Sequence, residues 1–480
     1  MSFIKSEKNK LAEVINNSAD VSRLKKLKLV IALSIPAIVA QVSAIIMQYI
    51  DASMVGSLGA NPAASIGLVS TSTWIFFGLC SAASVGFSVQ VAHLIGASKP
   101  DSARNVFRQS LVATLIFSII LAAIGVAISG PLPHWLGGEE PIVDNATLYF
   151  RVTLLAMPVF QLSYLAAGML RCSGNMVFPG MAGVLMCVLD VVFNFFLIFP
   201  TREIHIFSLV ITVPGAGFGV WGAALGTALA EAVATFLMLR KLIFSSALRI
   251  WRERGSFLPE KSTLRKAFHI GAPMGLERLL TCSAQVVLTI IVAPLGACAI
   301  AANSFAITAE SICYMPGYGI AEAATTLVGQ SIGAAKKKLA REFAHISVGL
   351  GMAVMTVMGA VMYVGAPAII GIMTPDADIV KLGVEALRIE AWAEPLFAAA
   401  IVCYGVFVGA GDTIIPSCFN LGCMWGIRIT LAAILAPVYG LAGVWIAMCI
   451  ELCCRGTLFL GRLKSSYWLK RSDKLKISNA

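Results

Sequence analysis

The sequence predicts an all-α polytopic membrane protein with twelve transmembrane helices in two pseudo-symmetric six-helix lobes. Three observations predict this fold: the composition, the apolar runs and an internal repeat. Hydrophobic residues make up 58% of the chain and charged residues 13%, whereas soluble chains average about 45–50% apolar and about 25% charged residues. Because the bilayer core offers no water to satisfy peptide groups, apolar runs of spanning length must form helices.

The apolar runs give the number of spans. A transmembrane helix needs about 20 predominantly apolar residues, and twelve runs meet this requirement. They lie near residues 29–54, 63–91, 107–130, 147–170, 177–199, 216–239, 268–293, 299–328, 345–369, 384–409, 414–436 and 440–461. Lysines and arginines cluster before the first run, in the central polar stretch and in the tail. By the positive-inside rule we expect both termini in the cytoplasm. Nucleic-acid binding is an alternative explanation of such clusters, but here they simply flank spans.

The second half of the chain repeats the first. Gly and Pro residues recur 237 positions apart over five spans, as do Ala103-Arg104 and Ala340-Arg341. The pairs include Pro36 and Pro273, Gly59 and Gly296, Gly174 and Gly411, and Pro179 and Pro416. The offset then falls to 224 at Trp221 and Trp445, so the Thr201–Gly215 loop is longer than its counterpart. Because six spans are an even number, the repeats are parallel and related by an axis along the membrane normal.

The repeat divides the chain into five parts. We expect a cytoplasmic N-terminal segment at 1–28, a first lobe at 29–239 and a basic cytoplasmic linker at 240–267. The second lobe follows at 268–461 and a cytoplasmic tail at 462–480, which we expect to be solvated after Leu463. The two lobes are expected to face each other across a central cleft, and rocking of one against the other would give alternating access. The turns Arg171–Asn175 and Gly409–Thr413 are expected to be tight helix–helix connections, because glycine with Asn or Asp suits such turns.

The first half carries acids at membrane depth. Asp51 lies in the first span, on a polar side shared with Gln41 and Gln48. A charged side chain at this depth costs roughly 2.5–3.5 kcal/mol on insertion scales, so such residues usually serve a function. Asp190 and Asn194 in the fifth span are four positions apart and share a helical face.

The sixth span adds a hydroxyl, Thr227. Carboxylate, amide and hydroxyl oxygens together suit a proton or a small hard cation such as Na⁺. The alternative is a pair of acids satisfied by neighbouring donors. The repeat positions of Asp51, Asp190 and Asn194 are Leu288, Ile427 and Leu431, so only one lobe has this polar set.

The second half has its own mixed set of acids and bases. Its members lie in spans seven, eight, ten, eleven and twelve: Glu277, Arg278, Glu310, Glu322, Glu390, Glu394, Arg428, Glu451 and Arg455. Paired charges are the ordinary way to hold such residues in a bundle, and we expect Arg428 to pair with Glu277. Glu277 could instead contact a cationic substrate, so Gln41, Gln48, Glu277 and Arg428 are the candidate residues of a substrate cleft.

Several function classes are excluded or disfavoured. The sequence contains no HExxH, GxSxG or Walker motif, so we expect neither an enzyme nor an ATP-driven pump. The twelve cysteines contain no CxxC pair, and we expect them to be small buried residues rather than metal ligands. No cofactor is expected beyond H⁺ or Na⁺ as a coupling ion, and no fixed metal site beyond a possible Na⁺ at Asp51.

Four motifs resemble the MATE family, the multidrug and toxic compound extrusion transporters. They are IDASMVGSLG (Ile50–Gly59), TTLVGQSIGA (Thr325–Ala334) and the turns GxxxxSGN and GxxxGAGDT, and the resemblance covers about residues 30–461. It implies twelve helices in two lobes and export of organic, often cationic, compounds in exchange for Na⁺ or H⁺.

The resemblance also implies roles for single residues. Asp51 matches the family's first-span acid, and Thr227 falls near a polar sixth-span position. Asp190 stands where the family often has Asn, and Asn194 where it has Asp, so the order is reversed here. No acid matches the family's tenth-span position, where Ala398 or Ala399 stands, and a second-lobe Na⁺ site is therefore not expected.

The function expected from these observations is secondary antiport. The protein would act as a monomer in a bacterial inner membrane and expel small organic molecules, with the coupling ion bound at Asp51, Asp190, Asn194 and Thr227. The alternatives are a lipid-linked oligosaccharide flippase of the same wider fold and a non-transporting receptor or scaffold. A flippase predicts further spans and a more basic cleft, and a scaffold would not need intramembrane acids.

Overall fold

A computed structural model describes residues 11, 13–15, 21–206, 209–251, 255–465 and 467–471. In the first lobe, helices run over Arg23–Gly56 (α1), Ala60–Gly96 (α2), Pro100–Ile128 (α3), Leu132–Trp135 (α4), Glu140–Leu155 (α5), Met157–Cys172 (α6), Val177–Ile198 (α7) and Gly219–Ser245 (α8). In the second lobe they run over Lys261–Val292 (α9), Ala297–Gly333 (α10), Lys337–Met373 (α11), Ala377–Glu390 (α12), Glu394–Gly409 (α13), Ile414–Cys423 (α14) and Thr430–Ser465 (α15). A short helix over Tyr467–Arg471 (α16) follows.

These helices supply twelve membrane crossings. Helices α5 and α6 form one span bent by 47°, and α12 and α13 form one bent by 60°. The run Ile414–Ser465 is 52 residues long, which at about 1.5 Å per residue is far more than one bilayer crossing needs. Its backbone leaves the helical conformation at Gly440, with φ 59° and ψ −138°. It therefore comprises spans eleven and twelve, and the predicted all-α polytopic fold is confirmed.

The outer surface of the bundle is apolar, as lipid contact requires. On α3, Ile116, Ile120 and Ile124 are each at least 50% exposed. Such a row along one helix would be a liability in water but matches the hydrocarbon of a bilayer. The protein is therefore a multi-pass membrane protein.

The backbone repeats the pseudo-symmetry found in the sequence. Gly174 and Gly411, which are repeat partners, have φ of 86° and 79° in the two tight turns. The non-glycine residues Ser98 and Ala335 are also partners, with φ of 56° and 59°. Across the lobes, α1 packs on α10 and α9 packs on α2, as a two-fold relation between the repeats requires.

A β-hairpin accounts for the extra length of the first repeat. Strands β1 (Pro200–Ile206) and β2 (Leu209–Ala216) pair antiparallel between α7 and α8, with Arg202 opposite Val213. The Arg202 guanidinium lies 3.8 Å from the ring centroid of Phe199, which ties the hairpin to the end of α7. The sequence predicts a longer loop at this place but not strands.

Two segments differ from the sequence expectation. Helix α8 continues to Ser245 and α9 begins at Lys261, so both helices extend into the segment 240–267 assigned to the linker. The expectation of a solvated tail after Leu463 is wrong for its first part. Trp468 is fully buried, and its ring lies 5.9 Å from that of Phe407, because an indole gains more from packing on the second lobe than from water. Residues 472–480 of the predicted tail lie outside the described residues.

Candidate functional site

In the first lobe, Asp51 and Asp190 both accept a hydrogen bond from the side-chain amide of Asn194. Asn194 Nδ2 donates to Asp51 Oδ1 at 2.9 Å and to Asp190 Oδ2 at 3.1 Å. Asp190 and Asn194 are one helical turn apart on α7, and both are fully buried. Asp51 reaches them from α1, which packs directly on α7. The predicted proximity of these three residues across two spans is thus found in the structure.

Helix α8 closes the other side of this cluster. Thr227 follows Gly226 on this helix, and its hydroxyl donates to Ala223 O at 3.1 Å. The approach depends on Gly226, because a Cβ there would lie 2.1 Å from Asn194 Oδ1. The role of Gly226 is not apparent from the sequence, since no local pattern shows that another helix passes so close to it.

Two oxygens of the cluster are left without a donor. Asp190 Oδ1 and Asn194 Oδ1 are buried and accept no hydrogen bond from any described residue. Burying such groups unsatisfied is costly. Two carboxylates held on one amide also repel each other when both are ionised. The residues therefore fit a bound proton, or a small cation among the Asp51, Asp190, Asn194 and Thr227 oxygens.

The four residues predicted for a substrate cleft lie in different places. Gln41 reaches across to the second lobe, where its Nε2 donates to Glu322 Oε1 at 3.3 Å, and Gln48 is exposed. Glu277 is half-buried among donors of its own lobe. It accepts hydrogen bonds from Tyr404 at 2.8 Å, Ser417 at 2.5 Å and Asn420 at 2.6 Å.

The expected pairing of Arg428 with Glu277 is wrong. Three neutral donors satisfy Glu277, while the Arg428 guanidinium contacts Met448 Sδ. Arg428 lies in a π-helical turn over Met424–Ile429, and such turns often mark functional positions. Arg428 interacts electrostatically with three acids of the second lobe, Glu451, Glu310 and Glu390.

Those acids form a second cluster that the sequence analysis did not assemble. Glu310, Glu390, Glu394 and Glu451 are each at most 5% exposed. The oxygens of Glu390 and Glu394 accept no hydrogen bond from described residues, and Arg455 Nε lies 3.1 Å from Glu451 Oε1. Four glutamates face two arginines, so ion pairing alone does not neutralise the group. These residues were correctly assigned to the second half's mixed polar set, but no local pattern in the sequence shows that they lie together.

Comparison with known proteins gives the family. The MatE family profile matches residues 36–196 and 273–434, one match in each lobe. A curated relative from Thermotoga maritima, named "Probable multidrug resistance protein NorM", is 24% identical, over 93% of this chain and 94% of its own. The "Uncharacterized transporter YisQ" of Bacillus subtilis is 22% identical, over 88% and 90% of the two chains.

Solved structures share the fold. The Vibrio cholerae MATE transporter VcmN in the bent form has a TM-score of 0.82 at 19% identity, covering 94% of this chain and 98% of its own. A MOP superfamily transporter from Pyrococcus furiosus has a TM-score of 0.83 at 22% identity, covering 95% and 98%. Both support the twelve-helix, two-lobe architecture. The protein is a membrane transporter, not an enzyme, and it belongs to the MatE family.

Proposed function

We propose that the protein is a secondary multidrug antiporter that exports small organic, often cationic, compounds in exchange for H⁺ or Na⁺ bound in the first lobe. The observation that carries this proposal is the Asn194 amide shared by Asp51 and Asp190. The site is anionic, buried and incompletely satisfied, so an incoming positive charge is stabilised there. Curated relatives named as multidrug resistance proteins support the choice of drug export.

The first-lobe site is not repeated in the second lobe. Leu288, Ile427 and Leu431 occupy the equivalent positions. A single ion site in a two-lobe protein gives a simple coupling scheme. When the site faces the cytoplasm it loses its ion and a substrate binds; when it faces outward, an ion enters and the substrate is released. One elementary charge crossing 100 mV yields about 2.3 kcal/mol, which corresponds to roughly fiftyfold accumulation.

Placement in the membrane is part of the same proposal. We propose a bacterial inner membrane with both termini in the cytoplasm; the basic clusters before α1 and between α8 and α9 support this orientation. We also propose that the protein functions as a monomer, since the polar groups of the ion site all come from one chain.

The test is transport by the purified full-length protein in vesicles, with the two gradients imposed separately. A fluorescent cationic dye should be exported when a pH gradient or a Na⁺ gradient is applied, and the active gradient identifies the ion. A flippase would instead move a lipid-linked oligosaccharide without either gradient, and a scaffold would move nothing. A dye export rate that does not depend on either gradient would contradict the antiport proposal.

A further inference from the structure

Two hydrogen bonds at one end of the molecule join the lobes in a repeat-related pattern. His93 Nε2 on α2 lies 2.8 Å from Gly409 O, at the end of α13 in the second lobe. Gln330 Nε2 on α10 donates to Cys172 O, at the end of α6 in the first lobe, also at 2.8 Å. His93 and Gln330 are 237 positions apart, and so are Cys172 and Gly409. The two bonds are therefore equivalent under the pseudo-two-fold axis. Since a carbonyl can only accept, Nε2 of His93 is the donor.

The acceptors explain why these bonds matter. The last four carbonyls of an α-helix have no partner within the helix, and Cys172 and Gly409 are the last residues of α6 and α13. Each lobe thus caps a helix end of the other lobe. Separating the lobes at this end would leave both carbonyls without these donors until water reached them.

The backbones at this point are in direct contact. A Cβ on Gly96 would lie 2.0 Å from Gln330 O, and a Cβ on Gly333 would lie 2.0 Å from His93 O. Gly96 and Gly333 are again repeat partners. Gly96 therefore leaves room for the backbone of Gln330, and Gly333 leaves room for the backbone of His93. No side chain fits between α2 and α10 at these two positions.

Two ion pairs lie at the same end without following the symmetry. Lys26 Nζ lies 2.6 Å from Glu342 Oε2, and Arg171 lies 3.1 Å from Glu322. Both join the first lobe to the second. The repeat partner of Arg171 is Val408, so these pairs supplement the caps rather than duplicate them. By the basic clusters of the chain, this is the end expected in the cytoplasm.

We propose that His93 and Gln330 are gate residues of the transport cycle: their paired caps hold the lobes closed at this end and break when the ion site opens there. The proposal rests on the antiport function proposed above. The residues act on the equilibrium between closed and open states, not on the ion. Weakening one cap, at about 1 kcal/mol per hydrogen bond, should raise the open fraction about fivefold.

Cys172 provides a native reporter of this equilibrium. Cys172 is 4% exposed and itself carries the carbonyl that Gln330 caps. Opening at this end should expose it to N-ethylmaleimide, with labelling measured on the Cys172 peptide by mass spectrometry. Cys80, fully buried inside the first lobe, reports unfolding, and the exposed Cys298 reports reagent activity.

The variants separate a gate from general packing. Gln330→Met and His93→Leu remove a donor, and Gly333→Ala wedges the helices apart; each should increase Cys172 labelling about fivefold. His93→Gln keeps a donor of the type used in the other lobe, and the exchange H93Q/Q330H swaps the two caps. Both should label like the parent. Gly349→Ala is the matched control, because nothing lies within 4 Å of a Cβ at that position.

The outcomes are decisive in either direction. Increased Cys172 labelling in the three disrupting variants, with Cys80 protected, supports the gate. Parental Cys172 labelling in these variants, with Cys298 fully labelled, overturns it. A disrupting variant that labels Cys80 is unfolded, and the remaining ones then decide. Labelling needs neither substrate nor ion gradient, so failure of the antiport function would show in the dye assay and not here.

Discussion

Asn194 and Asp51 are joined by a 2.9 Å hydrogen bond between α7 and α1, although 143 residues separate them along the chain. The same amide nitrogen also serves Asp190. One neutral side chain thus sets the spacing of two acids inside a membrane helix bundle. This relationship makes the first-lobe site sensitive to Asn194 itself and to whatever positions it.

We predict that Asn194→Leu abolishes gradient-driven dye export while the protein still folds. The substitution keeps the branched shape and the number of heavy atoms of the side chain but removes both donated hydrogen bonds, so the two carboxylates repel without a shared donor. Export is measured in vesicles, and folding by size-exclusion profile and melting temperature. Normal export by this variant would show that the shared amide is dispensable.

We predict that Gly226→Ala lowers export about tenfold, equivalent to about 1.4 kcal/mol. The new Cβ would lie 2.1 Å from Asn194 Oδ1, so either the amide turns or α8 moves away. Gly67→Ala is the control in the same lobe, since nothing lies within 4 Å of a Cβ there. Equal loss of export in both variants would remove the link to Asn194.

We predict that Arg428→Gln destabilises the second lobe by about 3–5 kcal/mol, the usual penalty for removing one partner from a buried charged group. Arg428 interacts electrostatically with Glu451, Glu310 and Glu390, and these three glutamates are buried. The melting temperature should fall sharply, whereas Arg388→Gln, on the exposed surface, should have little effect. A small change for Arg428→Gln would mean that the glutamates carry protons and do not need the arginine.

We predict that Trp468→Ala costs about 3–5 kcal/mol of stability, as for other fully buried large aromatics. Its ring packs near Phe407 with no exposed surface. Trp392→Ala is the matched control, because Trp392 is 74% exposed. If both variants melt at the same temperature, the start of the tail does not contribute to the fold.

The grouping of Asp51, Asp190 and Asn194 was largely predictable from the sequence. An acid at membrane depth stands out by composition, and Asp190 and Asn194 share a face because they are four positions apart. The repeat register predicted the two lobes. It also showed that the second lobe has no copy of the polar set, because Leu288, Ile427 and Leu431 stand at the equivalent positions.

Contacts between distant segments were not predictable in the same way. The partners of Glu277 come from α13 and α14, and no local pattern selects them over Arg428. Burial of Trp468 was hidden by the basic residues around it, which indicate a solvated tail. The hairpin of β1 and β2 was predicted only as a longer loop. The change in repeat offset indicates extra residues after the fifth span but does not indicate their conformation.

The central claim is that Asp51 carries the coupling ion, and its most direct test is dye export by Asp51→Asn under separately imposed pH and Na⁺ gradients. Glu385→Gln, which neutralises an exposed acid of the second lobe, serves as the control. The account predicts that Asp51→Asn still binds the dye but exports it under neither gradient, while the control exports normally. Export by Asp51→Asn at the parental rate under either gradient would contradict it.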